Sequence, residues 1–189
     1  MRLLLGSNAL YYPAHGGGER SNRMLIEALA QRGHSCLVVT RIDRFGVEGE
    51  EKLRRELAER DVAVVGGPGF VRYHLNGVEV VVATGTASFR AFFVERKNEF
   101  RPHVIITSTD DPAQLLLESA LHDETAPTVF LTRATVALPF GPDSAFHSHE
   151  TTEILRQADG VVGVSEYVAR YIRAQYGIPA LHVPIPLAQ

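Results

Sequence analysis

Six short apolar runs, "RLLLGS" (2–7), "SCLVVT" (35–40), "VAVVGG" (62–67), "HVIITST" (103–109), "TVFLT" (128–132) and "GVVGVS" (160–165), punctuate the chain. Each is too short for a buried helix and ends in Gly, Ser or Thr, the pattern of a strand covered on both faces. Between them lie segments with helical periodicity. "ERSNRMLIEALAQRGH" repeats Leu25, Ala28, Leu29 and Arg32 at three- and four-residue steps and stops at Gly33. "GEEKLRRELAERD" (49–61) places Leu53 and Leu57 on one face, and "ASFRAFFVERKNEF" (87–100) collects Phe89, Phe92, Phe93 and Phe100. "DPAQLLLESALH" offers Asp111 as N-cap and Pro112 in the first turn, and Ser165 caps "EYVARYIRAQY" before Gly177. "ETTEILRQAD" reads as a short helix, and "ALHVPIP" as a last strand.

Alternating strands and helices dictate a parallel sheet with helices on both faces, because right-handed crossovers must cover it. One exception is built in: "FVRYHLNGVEVVVAT" sets Asn76-Gly77 between two alternating runs, a strong hairpin signal. The expected fold is therefore α/β, a Rossmann-like doubly wound parallel sheet with helices on both faces and an inserted β-hairpin (residues 70–84). All of residues 1–189 are expected to form a single domain.

Hydrophobic residues make up 45% of the 189 and charged residues 22%, enough apolar material for a full core. The net charge of -3 argues against a nucleic-acid partner. The single cysteine, Cys36, allows no internal disulfide and fits a reducing, cytoplasmic setting. The start, "MRLLLGSNALYY", reads as a first strand rather than a signal peptide, and no apolar run has membrane-spanning length.

In doubly wound sheets, ligands bind at the carboxyl ends of the strands, where strand order reverses. Residues 7–20, 66–70, 109–111, 132–136 and 165–166 are the places to search. "GGGERSN" (16–22) sets three glycines just before the first helix, and a helix N-terminus attracts anions. The stretch has neither P-loop spacing nor the dinucleotide fingerprint. The pattern alone leaves two readings open, an anion cradle and a loose loop before an exposed helix start.

Three segments carry a resemblance. "GGGERSNRMLIEALAQRGHSCLVVT", "FRPHVIIT" and "ADGVVGVSEYVARYI" occur in order, and the chain resembles the N-terminal domain of group 1 (family 4) retaining glycosyltransferases with the GT-B fold. The resemblance spans Met1 to about Pro186. It implies the acceptor-side half of an enzyme that moves a sugar, with retention, from a nucleoside-diphosphate sugar donor to a hydroxyl acceptor on a glycan, lipid or small metabolite. It also implies that the C-terminal nucleotide-sugar domain, which bears the family's two glutamates eight positions apart, lies outside this chain, so that the half alone has little activity. The pairs Glu19/Glu27, Glu48/Glu56 and Glu51/Glu59 share that separation but sit in helical segments, and are read as chance.

By the same resemblance, Gly16, Gly17, Gly18 and Glu19 would contact donor phosphate and sugar, with no metal cofactor. Aligning on Thr132 puts Ala134 where the family carries a histidine, so the donor contact passes to Arg133 or Thr135, or is lost. Asp110, Asp111, Ser165 and Glu166 follow strands and are candidate acceptor-binding residues, with helix capping the competing role for Asp111 and Ser165. His147, His149, Glu150 and Glu153 could suggest a metal, but their spacing is not that of a helical zinc site. Arg54, Arg55 and Arg60 interleave with Glu51, Glu56 and Glu59 as a solvated face; the resemblance adds a peripheral membrane contact there. The alternatives are a stand-alone Rossmann-like nucleotide-binding module and a non-catalytic glycosyltransferase-like domain.

Overall fold

A computed structural model describes residues 1–14, 16–42, 47–85, 88–122 and 125–184. The strands are β1 (Arg2–Gly6), β2 (Ser35–Arg41), β3 (Val64–Gly67), β4 (Phe70–Leu75), β5 (Val78–Ala83), β6 (Val104–Ser108), β7 (Thr128–Thr132), β8 (Gly160–Gly163) and β9 (Ala180–His182). The helices are α1 (Gly17–Gln31), α2 (Val47–Ala58), α3 (Phe89–Phe100), α4 (Leu115–Leu121), α5 (His149–Arg156) and α6 (Glu166–Tyr176). One sheet holds all nine strands in the order β3-β4-β5-β2-β1-β6-β7-β8-β9. From β5 to β9 every pairing is parallel, and the order reverses between β1 and β6. This is the doubly wound, Rossmann-like α/β fold, with its switch point at the first strand.

The period of two along each strand decides which helices it meets. Leu3, Leu5, Cys36, Val38, Ile106 and Leu131 pack with Ile26 of α1 and with Leu53 and Leu57 of α2. Their neighbours in sequence, Leu4, Leu37, Val39 and Ile105, pack with Phe93 of α3 and Leu116 of α4. Farther along, Phe130 and Val161 bury against Leu155 of α5 and Val168 and Ile172 of α6. Gly6 allows one of these contacts, since a Cβ there would lie 2.7 Å from the Phe93 ring.

The hairpin forms as expected, with Asn76 and Gly77 both at positive φ in its turn. Two local expectations need correction. β3 does not join a parallel pair: it runs antiparallel to β4, through a turn at Pro68-Gly69 in which Gly69 has φ of 77°. Helix α4 starts at Leu115 rather than Pro112, because residues 111–114 form a separate turn closed by Gln114 N donating to the Asp111 carbonyl at 2.9 Å. Of the expected last strand, Ala180–His182 is observed, and residues 185–186 lie outside the described residues.

Candidate functional site

Continuing the two-residue step past the strand ends brings polar side chains onto the α1 face of the sheet. Ser7 follows Leu3 and Leu5, Ser108 follows Ile106, and Arg133 follows Leu131. They meet at the switch point around Asp110. Ser7 Oγ donates to Asp110 Oδ2 at 2.5 Å, the Asn8 N–H donates to the same oxygen at 2.9 Å, and Ser108 Oγ donates to Oδ1 at 2.8 Å. Asn22, inside α1, donates through Nδ2 to Ser108 Oγ at 3.1 Å. Burial pushes the Asp110 carboxyl above its ordinary range, and the hydrogen bonds from Ser7, Ser108 and Asn8 oppose that rise.

Arg133 reaches from the end of β7 onto the start of α1. Its Nη1 donates to Ser21 Oγ and its Nη2 to Asn22 Oδ1, while its backbone N–H donates to Thr109 Oγ1 at 3.1 Å. Burial lowers the guanidinium to about 10, opposed by the attraction of Asp110. The Nε is buried with no hydrogen-bond partner among the described residues. A cation thus stands beside a helix N-terminus, itself positive, and Asp110 attracts it.

The three glycines are not a loop. Gly16 is the N-cap, with φ of -109°, and Gly17 and Gly18 are the first residues of α1. The Gly16 N–H donates to Glu19 Oε2 at 3.0 Å. A Cβ at Gly16 would lie 3.7 Å from Glu19 Oε1, one at Gly17 would meet nothing within 4 Å, and one at Gly18 would sit 3.8 Å from Arg133 Cγ. Neither crowding nor left-handed backbone requires these glycines. The preceding loop is pinned: Thr40 Oγ1 donates to the Ala9 carbonyl at 2.5 Å, and buried Tyr11 donates to Glu27 Oε1 at 3.1 Å. The Tyr12 ring lies beneath the guanidinium groups of Arg23 and Arg60.

The other candidate residues are committed elsewhere. Asp111 is buried and its Oδ2 accepts from the Leu116 N–H at 2.8 Å, so it caps α4 from outside the helix. Ser165 Oγ accepts from the Val168 N–H at 3.2 Å, the capping role. Glu166 pairs with Arg173 at 2.8 Å and approaches His182 at 3.7 Å. Thr135 Oγ1 donates to Asp143 Oδ2 at 2.8 Å. Ala134 is extended and adds no polar atom of its own side chain. The structure therefore gathers Gly18, Asp110 and Arg133, and sets Thr135, Ser165 and Glu166 in separate contacts. Among the described residues no three His, Cys, Asp or Glu side chains converge as a metal site, and no helix is long and apolar enough to cross a membrane. Ser7, Ser21, Asn22 and Ser108 are the site residues that reading motifs overlooks. The signal for Ser7 and Ser108 was the unbroken period of two beyond each strand; Asn22 had none.

A strand order that reverses at its first strand, with helices on both faces, defines a Rossmann-like α/β domain. The Glycosyl transferase 4-like domain family matches residues 16–188, and this chain belongs to that family. No curated protein matches the sequence significantly. Among solved structures the chain is similar to an ADP-ribosylation-factor-like GTP-binding protein (small COPII coat GTPase SAR1) from Encephalitozoon cuniculi in complex with GDP. The identity is 12%, covering 90% of this chain and 80% of that one, with a TM-score of 0.32, a likeness that carries no argument.

Proposed function

We propose that this chain is the acceptor-side domain of a retaining GT-B glycosyltransferase, which moves a sugar from a nucleoside-diphosphate sugar to a hydroxyl acceptor. A second α/β domain would hold most of the nucleotide. One observation carries the reading: α1 opens on three glycines that packing and backbone angles leave unexplained, beside the half-buried cation of Arg133. Residues without side chains let a ligand approach the backbone, and first-turn N–H groups have no intrahelical acceptor. A diphosphate fits both features. As the bond from sugar to phosphate breaks, negative charge grows on the leaving oxygen, and oriented N–H groups with an arginine stabilise it. The hydrogen bonds to Ser21 and Asn22 hold that arginine in place beforehand.

The test is an amide-resolved NMR titration with inorganic pyrophosphate, then with UDP, GDP and ADP. The Gly17 and Gly18 signals are expected to move saturably in the wild type and to stay still in Arg133→Gln. Unmoved glycine signals in the wild type would sink the reading. A second reading, a non-catalytic family member, draws on Ala134, which offers no side-chain hydrogen bond beside the site. Sugar transfer by the full-length protein would exclude it.

A further inference from the structure

Arg41 ends β2 on the face opposite to Arg133. Leu37 and Val39 lie beneath α3 and α4, so the period of two sets Arg41 over the same two helices. There its guanidinium lies over the ring of Phe89, the first residue of α3, at 5.5 Å. The residue is half-buried, yet its Nε has no hydrogen-bond partner and no salt bridge among the described residues uses it. Asp111 is the acid that feels its charge, but one carboxylate oxygen of Asp111 is bound to the Leu116 N–H, and the residue is only 3% exposed. In the same turn stands Gln114, 1% exposed, held at φ of 53°, with Oε1 unpartnered. A non-glycine residue in that conformation is strained, and a buried amide oxygen without a donor adds to the cost.

An arginine whose acidic neighbour, Asp111, already caps α4, and an amide oxygen without a donor, therefore share one corner of the carboxyl edge, where ligands of this fold bind. We infer that Arg41, Phe89 and Gln114 form the acceptor subsite, and that the acceptor is a hydroxyl compound bearing a compact anionic group, a phosphate monoester or a carboxylate. The inference rests on the reading of this chain as the acceptor-side domain. The face of Phe89 fixes the guanidinium plane, and a guanidinium presents paired N–H groups matched to two anionic oxygens. Gln114 Oε1 accepts from a hydroxyl of the same molecule. Adjacent aspartates divide the two anions: Asp110 faces the corner of Arg133, and Asp111 faces that of Arg41.

The test follows the Nε–Hε resonance of Arg41 in the whole chain during titration with inorganic phosphate and, separately, with acetate. A saturable shift with phosphate alone supports a phosphate monoester, and a shift with acetate alone or with both supports a carboxylate-tolerant site. Arg41→Gln is expected to weaken binding about tenfold or more, from the loss of a charge-assisted pair. Arg41→Lys, which keeps the charge without the fork, is expected to recover only part of it. If neither anion moves the signal, or if the exposed Arg32 side chain responds equally, the inference is overturned. Arg133→Gln separates the two readings: pyrophosphate response at Gly17 and Gly18 should vanish while the Arg41 response persists. An Arg41 response beside silent glycines would remove the donor reading and leave the anion site.

Discussion

Arg133 and Arg41 both end parallel strands at the carboxyl edge of one sheet, on opposite faces, and they are held in different ways. Arg133 is locked by Ser21 and Asn22 over the start of α1, and burial lowers its proton affinity. Arg41 is stacked on Phe89, and among the described residues its side chain makes no hydrogen bond, whereas Arg133 leaves only Nε unpartnered. A hydrogen-bonded cation is fixed in direction before any ligand arrives, which suits charge that appears only during reaction. A stacked cation with free N–H groups instead keeps its donors for a ligand already charged. On the proposed reading, the contrast separates a group placed for bond breaking from one placed for recognition.

The largest effect expected is on turnover. Arg133→Gln in the full-length protein should lower kcat/KM by about a hundredfold or more, the scale of losing an oriented oxyanion donor. It should also lower folding stability, because Asn22 Oδ1 is left buried without its donor and Asp110 without the neighbouring cation. A variant equally active in sugar transfer would erase the distinction between the two arginines. Next in size is the carboxylate between them. Asp110→Ala strands the Ser7 and Ser108 hydroxyls and the Asn8 N–H, and should cost about 3 kcal/mol in urea denaturation.

Asp110→Asn gives a sharper reading through pH. Burial holds the folded carboxyl above its ordinary range, so its contribution to stability is full below the unfolded value and is lost as pH rises through the folded value. The stability of the wild type relative to Asp110→Asn should thus fall as pH rises above about 4. A rise instead would mean that the Ser7, Ser108 and Asn8 hydrogen bonds outweigh burial.

Gly17→Ala divides ligand approach from folding. A Cβ there meets nothing within 4 Å, so thermal stability should hold or improve by up to about 1 kcal/mol. Pyrophosphate affinity should drop by about tenfold if the diphosphate lies against that backbone; unchanged affinity in calorimetry would move the anion elsewhere. The smallest effect belongs to Glu166→Gln, which removes a surface pair with Arg173 and should shift stability by less than about 1 kcal/mol in the same denaturation assay.

Much of the frame was legible because short apolar runs and the Asn76-Gly77 turn carry their own geometry. The partner of β3 was not, since Gly66 and Gly67 look like a break yet continue the strand beside β4. Gly17 and Gly18 looked like a loop from low helix propensity, but propensity yields to tertiary context, and the Arg133 stem covers Gly18. In the site, Asp110 and Arg133 could be found from the rule of strand ends. Asn22 could not, because a helix-interior residue meets Ser108 and Arg133 only once α1 lies across the switch point. Glu166 and Thr135 stood at the right ends of strands, but nearby Arg173 and Asp143 engage them.

The loop between β1 and α1 has one further consequence. Thr40, Tyr11 and the paired guanidinium groups around Tyr12 tie residues 9–12 to β2, to α1 and to the turn after α2. Its ordering entropy is surrendered when the chain folds, not each time a ligand docks. On the proposed reading, capture at this corner should then follow diffusion, with no slow local rearrangement preceding it.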